Sequence, residues 1–217
     1  MASKILTSLM SSKSNVRYFI AALVFGATLL PLAAHAHVPL PPRAPDQIGR
    51  REAKTAVADF KLVDQDGKPF QFSNNRGKIV LATFIFTTCP DVCPFLTAKF
   101  AAIQRIVEEK KNDKDLLLLS ITTDPEHDSG AVLKGYAARF KADFRNWKFL
   151  TGSRQNLAKV WKIFGLNVTK TQAGDIQHTT LTTLIDRRGN RRVDYFGDKW
   201  QDKEVLKDIQ WLRTQKR

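Results

Sequence analysis

Two stretches of the chain are almost unbroken in apolar residues: residues 78–86 (KIVLATFIF) and 116–122 (LLLLSIT). Both are short and β-prone, so each predicts a strand covered on both faces. Between them, Phe95, Leu96, Phe100, Ile103 and Ile106 follow helical spacing, with Pro94 at the start of the run, where proline is well tolerated. Further on, the pattern predicts a helix over 129–140, a short strand over 147–150 and a helix over 154–164 ended by Gly165. Residues 179–185 and 191–196 read as strands joined by a turn at 186–190. A final helix covers 202–215, with Val205, Leu206, Ile209 and Leu212 on one face. Upstream, Asp66-Gly67 divides residues 60–72 into a hairpin.

Alternating strands and helices, closed by a hairpin and a helix, predict an α/β sandwich. Its central mixed sheet is flanked by helices and preceded by an N-terminal hairpin, which is the thioredoxin-like arrangement. Such sheets place their sites at the carboxyl ends of the central strands. The loop after residue 86 is therefore the first place to look for chemistry.

Residues 1–36 differ from the rest. Lys4, Lys13 and Arg17 precede an uncharged apolar run at 18–34, followed by Ala34-His35-Ala36. Basic region, apolar run and small-residue site read as a signal peptide. The run is 17 residues long, against about 20 for a spanning helix, and a retained anchor is the competing reading. A transit peptide fits the Ser-rich start, but the long apolar run argues against it. Residues 37–55 begin with four prolines in nine positions and read as a linker. The domain is expected over 56–217.

The formal charge is +14, and +11 once the three positive charges of residues 1–36 are set aside. A well-solvated basic surface is the first reading of this charge; attraction of an exported protein to an acidic partner or an anionic membrane is the functional alternative. No nucleic-acid motif appears.

The only cysteines lie in Cys89-Pro90-Asp91-Val92-Cys93-Pro94. Each precedes proline, which pushes it toward extended backbone. Both sulfurs should then sit just before the helix expected at Pro94, whose positive end favours thiolate. Thiolate serves a soft metal and disulfide exchange alike, so the motif leaves both open. Two cysteines and four histidines make a closed four-ligand zinc site hard to assemble, whereas copper(I) accepts thiolates and an imidazole at low coordination. Of the histidines, His35 lies in the leader, and His37 would become the N-terminus after cleavage at Ala36. His178 directly precedes the strand expected at 179. Thioredoxin-like folds turn that place toward the cysteine loop, and thioredoxins usually fill it with a cis-proline; here it is a candidate third ligand. His127, with Asp124 and Asp128, lies in the loop after 116–122, either as loop and helix-cap structure or as neighbours of the site.

The chain resembles the SCO/SenC copper-chaperone family. The resemblance covers about residues 56–217 and rests on Phe86-Thr87-Thr88-Cys89-Pro90-Asp91-Val92-Cys93-Pro94, on Thr123-Asp124-Pro125-Glu126-His127-Asp128, and on His178 before a strand ending Leu184-Ile185-Asp186 with Gly189. It implies copper, as Cu(I) or Cu(II), held by Cys89, Cys93 and His178, with Asp124 as a neighbour; His127 and Asp128 are candidates only by their place in the same loop. It implies assembly of the dinuclear copper centre of cytochrome c oxidase, with an oxidase subunit as recipient, and export to the periplasm, soluble or anchored in the inner membrane. Two positions depart from the family pattern: His127 replaces a common arginine, and Gln177 a common aspartate. A peroxiredoxin resemblance is weaker, because Phe86 stands where those enzymes need threonine. Two other readings remain: a thiol–disulfide reductase in which Cys89 attacks and Cys93 resolves, and a copper or redox sensor.

Overall fold

The computed structural model describes residues 49–111, 113–171 and 175–215. The expected leader over 1–36 and most of the expected linker lie outside them.

The two apolar runs form the centre of the sheet. β4 (Ile79–Ile85) and β5 (Leu116–Thr122) pair in parallel, and every residue of both is buried. Their side chains alternate: Ile79, Leu81, Leu116 and Leu118 enter one apolar core, while Val80, Ala82, Phe84, Leu117, Leu119 and Ile121 enter the other. β6 (Trp147–Thr151) joins β5 in parallel. The hairpin of β2 (Lys61–Asp64) and β3 (Pro69–Gln71) continues that side antiparallel. On the other side, β9 (Leu181–Ile185) runs antiparallel to β4, followed by β10 (Arg191–Phe196). With β1 (Arg50–Glu52) at the far edge, the sheet order is β1-β10-β9-β4-β5-β6-β2-β3.

Helices cover both faces, as the α/β sandwich requires. α1 (Val92–Glu109) buries Leu96, Phe100, Ile103 and Val107 in the first core, together with α2 (Gly130–Arg139) and α4 (Asp202–Thr214). Each such large side chain contributes about 1.5–3 kcal/mol of transfer free energy. α3 (Arg154–Phe164) packs in the second core through Leu157, Val160, Trp161 and Phe164. It opens on the Ser153 hydroxyl, which accepts from Asn156 N, and closes on Gly165 at φ 71°, a left-handed position suited to glycine.

Three expectations change. Arg50–Glu52, placed in the linker, form β1 at the sheet edge, paired with β10. Their anchor is a buried ion pair: Arg50 Nε and Nη2 donate to Asp208 Oδ2 and Oδ1, both at 2.8 Å, and Tyr195 Oη also donates to Asp208. A second small sheet, β7 (Val168–Lys170) with β8 (Ile176–His178), precedes β9. It separates His178 from the central strand, which begins at Leu181 rather than 179. Finally, α1 begins at Val92, so Cys93 lies inside its first turn. Pro94 permits this, because a first-turn N–H has no intrahelical partner to lose.

Candidate metal centre at the end of the central strands

The loop between β4 and α1 is tied down from below. Cys89 N–H donates to Phe86 O at 3.3 Å. Asp128, fully buried in the loop after β5, accepts from Thr87 N at 3.2 Å, from the Thr87 hydroxyl, and from Thr122 Oγ1 at 2.5 Å. Asp128 is therefore the clamp between the two loops. Helix capping falls instead to Ser129, whose side chain accepts from Val132 N. Burial raises the Asp128 carboxyl above its ordinary range against the pull of the Thr122 and Thr87 hydrogen bonds.

The two cysteines are not joined in a disulfide, and both are buried, Cys89 at 8 % exposure and Cys93 at 0 %. Burial pushes the Cys93 thiol well above its usual range; the Phe86 backbone hydrogen-bonds to it, and Cys89 and Asp128 add further upward pressure. The expectation that the helix end would favour thiolate fails at Cys93. Its place in an apolar core outweighs the partial charge of the helix end. Its backbone is held by a short chain in which Thr97 Oγ1 donates to Cys93 O at 2.8 Å and pairs with Tyr136 Oη at 2.9 Å. The sequence reading missed both partners, although Thr97, four residues on from Cys93, is visible as a helix-back-bonding position.

His178 ends β8, partly buried. Burial lowers its pKa, and its Nδ1 lies 3.0 Å from Thr179 O. A neutral ring donating from Nδ1 presents the lone pair of Nε2. The ring stands edge-on to Phe86, with centroids 5.8 Å apart and planes at 78°. Phe86 thus contacts all three candidate ligands, through its backbone at the cysteines and its ring at His178. Among the described residues, no three His, Cys, Asp or Glu side chains lie close enough together to hold a metal ion. The structure gathers the candidates around Phe86 without closing them into a coordination sphere.

Asp124 and His127 form a pair of their own, with His127 Nδ1 at 2.7 Å from Asp124 Oδ2. Asp124 is buried, while the His127 side chain is 58 % exposed. Glu126 in the same loop accepts from Arg154 Nη1 at 2.7 Å.

The SCO1/SenC family pattern matches residues 48–214. The chain belongs to the SCO1/SenC family. Its fold is thioredoxin-like, as in solved SCO proteins. A Bacillus subtilis relative described as an SCO1 protein homolog is 32% identical over 164 residues, covering 74% of this chain and 84% of its own. A solved structure described as showing a disulfide switch in BsSco, a member of the Sco family of cytochrome c oxidase assembly proteins, is 30% identical, with TM-score 0.67 and coverage of 76% and 98%. Bradyrhizobium japonicum ScoI, solved with copper bound, is 30% identical, with TM-score 0.62 and coverage of 73% and 99%. This SCO-family chain has no helix among its described residues long and apolar enough to cross a membrane.

Proposed function

We propose that the protein carries copper for assembly of the dinuclear copper centre of cytochrome c oxidase, with Cys89, Cys93 and His178 as its ligands. The observation that carries this is the state of His178. A neutral imidazole, with Nδ1 committed to a backbone carbonyl, is the form that ligates a metal, and such a hydrogen bond orients the ring and raises its basicity. The donor set of two thiols and one imidazole suits a soft monovalent ion. Family membership and the copper-bound relative support the same reading. Loading releases the thiol protons, and at the buried Cys93, whose thiol pKa is raised, the incoming cation compensates for the loss. Copper is the cargo, passed on by ligand exchange with a recipient. That recipient is an oxidase subunit, acidic where it meets this basic chain, and the protein works after export, soluble or anchored in the inner membrane.

Copper(I) titration of the reduced full chain beside His178→Ala tests this. One equivalent bound, with a marked loss of affinity in the variant, supports it. No binding above background, or a variant indistinguishable from wild type, defeats it.

The thiol–disulfide reductase is kept as a second reading because the two thiols are unequal. Cys89 is the more exposed and would attack, while buried Cys93, in contact with it, would resolve. Fast turnover of a disulfide substrate without metal would favour it.

A further inference from the structure

Tyr136 is a polar side chain in an apolar core. It belongs to α2, is 4 % exposed, and packs in the same core as Cys89 and Cys93. Its ring centre lies 5.1 Å from that of Phe140 and 6.4 Å from that of Phe149. A phenylalanine would keep these contacts, so packing does not account for the hydroxyl. A buried hydroxyl costs free energy unless it is hydrogen-bonded.

That hydroxyl ends a chain leading to one of the two cysteines. Thr97, fully buried, donates from Oγ1 to Cys93 O at 2.8 Å. A threonine hydroxyl has one proton. In the 2.9 Å pair between Thr97 Oγ1 and Tyr136 Oη, the phenol is therefore the donor. Burial raises the phenol's pKa against the Thr97 hydrogen bond, and the nearby Cys93 and Cys89 sulfurs raise it further, so it stays protonated and keeps donating. The chain ties α2 to the first turn of α1 at the residue that carries the more buried sulfur. Cys89 precedes that helix, in a turn closed by its N–H bond to Phe86 O at 3.3 Å, and lies outside the chain.

We infer that Tyr136 is a positioning residue for Cys93: its hydroxyl, acting through Thr97, fixes the backbone from which the Cys93 sulfur projects and leaves Cys89 as the looser thiol. The positioning does not depend on what the thiols bind. Its consequence for copper, a sulfur placed before the ion arrives, rests on the carrier reading.

The test uses the full chain, reduced and metal-free. Alkylation of the one remaining thiol is followed in Cys89→Ser and in Cys93→Ser, each with and without Tyr136→Phe. Losing the phenol proton leaves a buried Thr97 acceptor unpaired, so Cys93 should react about ten-fold faster while the Cys89 rate stays unchanged. Thr97→Val should speed Cys93 similarly, and Tyr136→Phe should add nothing to it, because the two act as one unit. Thr97→Ser should keep the wild-type rate. An unchanged Cys93 rate, equal acceleration of both thiols, or additive effects of Tyr136→Phe and Thr97→Val overturns the inference. If Thr97→Val fails to fold, selective acceleration of Cys93 in Tyr136→Phe, with Thr97→Ser at the wild-type rate, carries the comparison. Copper(I) competition against a chelator keeps the two claims apart. A wild type that binds no copper defeats the carrier reading and leaves the thiol comparison to decide on Tyr136. A wild type that binds copper should lose affinity about ten-fold in Tyr136→Phe, and equal affinity there overturns the positioning role.

Discussion

Phe86 and His178 meet edge to face, with ring centroids 5.8 Å apart. This contact fixes the imidazole of a short surface hairpin against the loop that carries both thiols. Without the Phe86 ring, the His178 ring keeps its hydrogen bond to Thr179 O but loses its wall. Phe86→Ala should therefore weaken copper(I) binding by about 10- to 100-fold, the usual cost of removing a group that orients a ligand. Competition against a copper(I) chelator measures it. Unchanged affinity would show that His178 needs no such wall.

The two cysteines should differ in reactivity. With Cys89→Ser, only buried Cys93 remains, and its thiol titrates above the ordinary range because it is desolvated. Its alkylation rate in the metal-free protein should keep rising well past pH about 8.5, the value of an ordinary thiol. A plateau near that pH would mean Cys93 is wetter than its burial indicates.

Asp128 links stability to pH. Its folded-state pKa is raised by burial, so it contributes most to stability below its unfolded value of about 3.9. That contribution is lost as pH rises through the raised folded value and is flat beyond. The stability difference between wild type and Asp128→Asn should therefore shrink with rising pH across that window. Asp128→Ala, which strands the Thr87 and Thr122 donors, should cost roughly 3 kcal/mol at neutral pH. Denaturant melts across pH give both numbers.

Arg50 holds the start of the domain. Arg50→Ala leaves Asp208 buried without its cation and should cost about 3–5 kcal/mol. Thermal melts of the single variants and of Arg50→Leu/Asp208→Leu check it. The double change should recover much of the loss, because both charges leave together.

Much of this fold is legible along the chain. Runs such as 78–86 and 116–122 announce strands buried on both faces, and Ser153 with Gly165 brackets α3. The cysteine loop and His178 are also legible, because their residue types are rare here. What stays hidden depends on distance in sequence. Arg50 sits among polar residues, and its partner Asp208 lies 158 positions away, so no local pattern marks β1. The β7–β8 hairpin is only three residues per strand, and its polar Thr169, Lys170 and Gln177 show no buried face. Asp128 reads locally as a turn residue. Only folding reveals that it clamps Thr87 across the β4 and β5 loops. The raised Cys93 thiol follows from complete burial, which the helix-end argument from sequence cannot weigh.

X-ray absorption at the copper edge of the loaded, anaerobically prepared protein tests the ligand assignment most directly. The wild type should show two sulfur neighbours and one imidazole nitrogen, and His178→Ala should lose the nitrogen and keep both sulfurs. A sulfur-only first shell in the wild type, or an imidazole signal that survives His178→Ala, would contradict the proposed site.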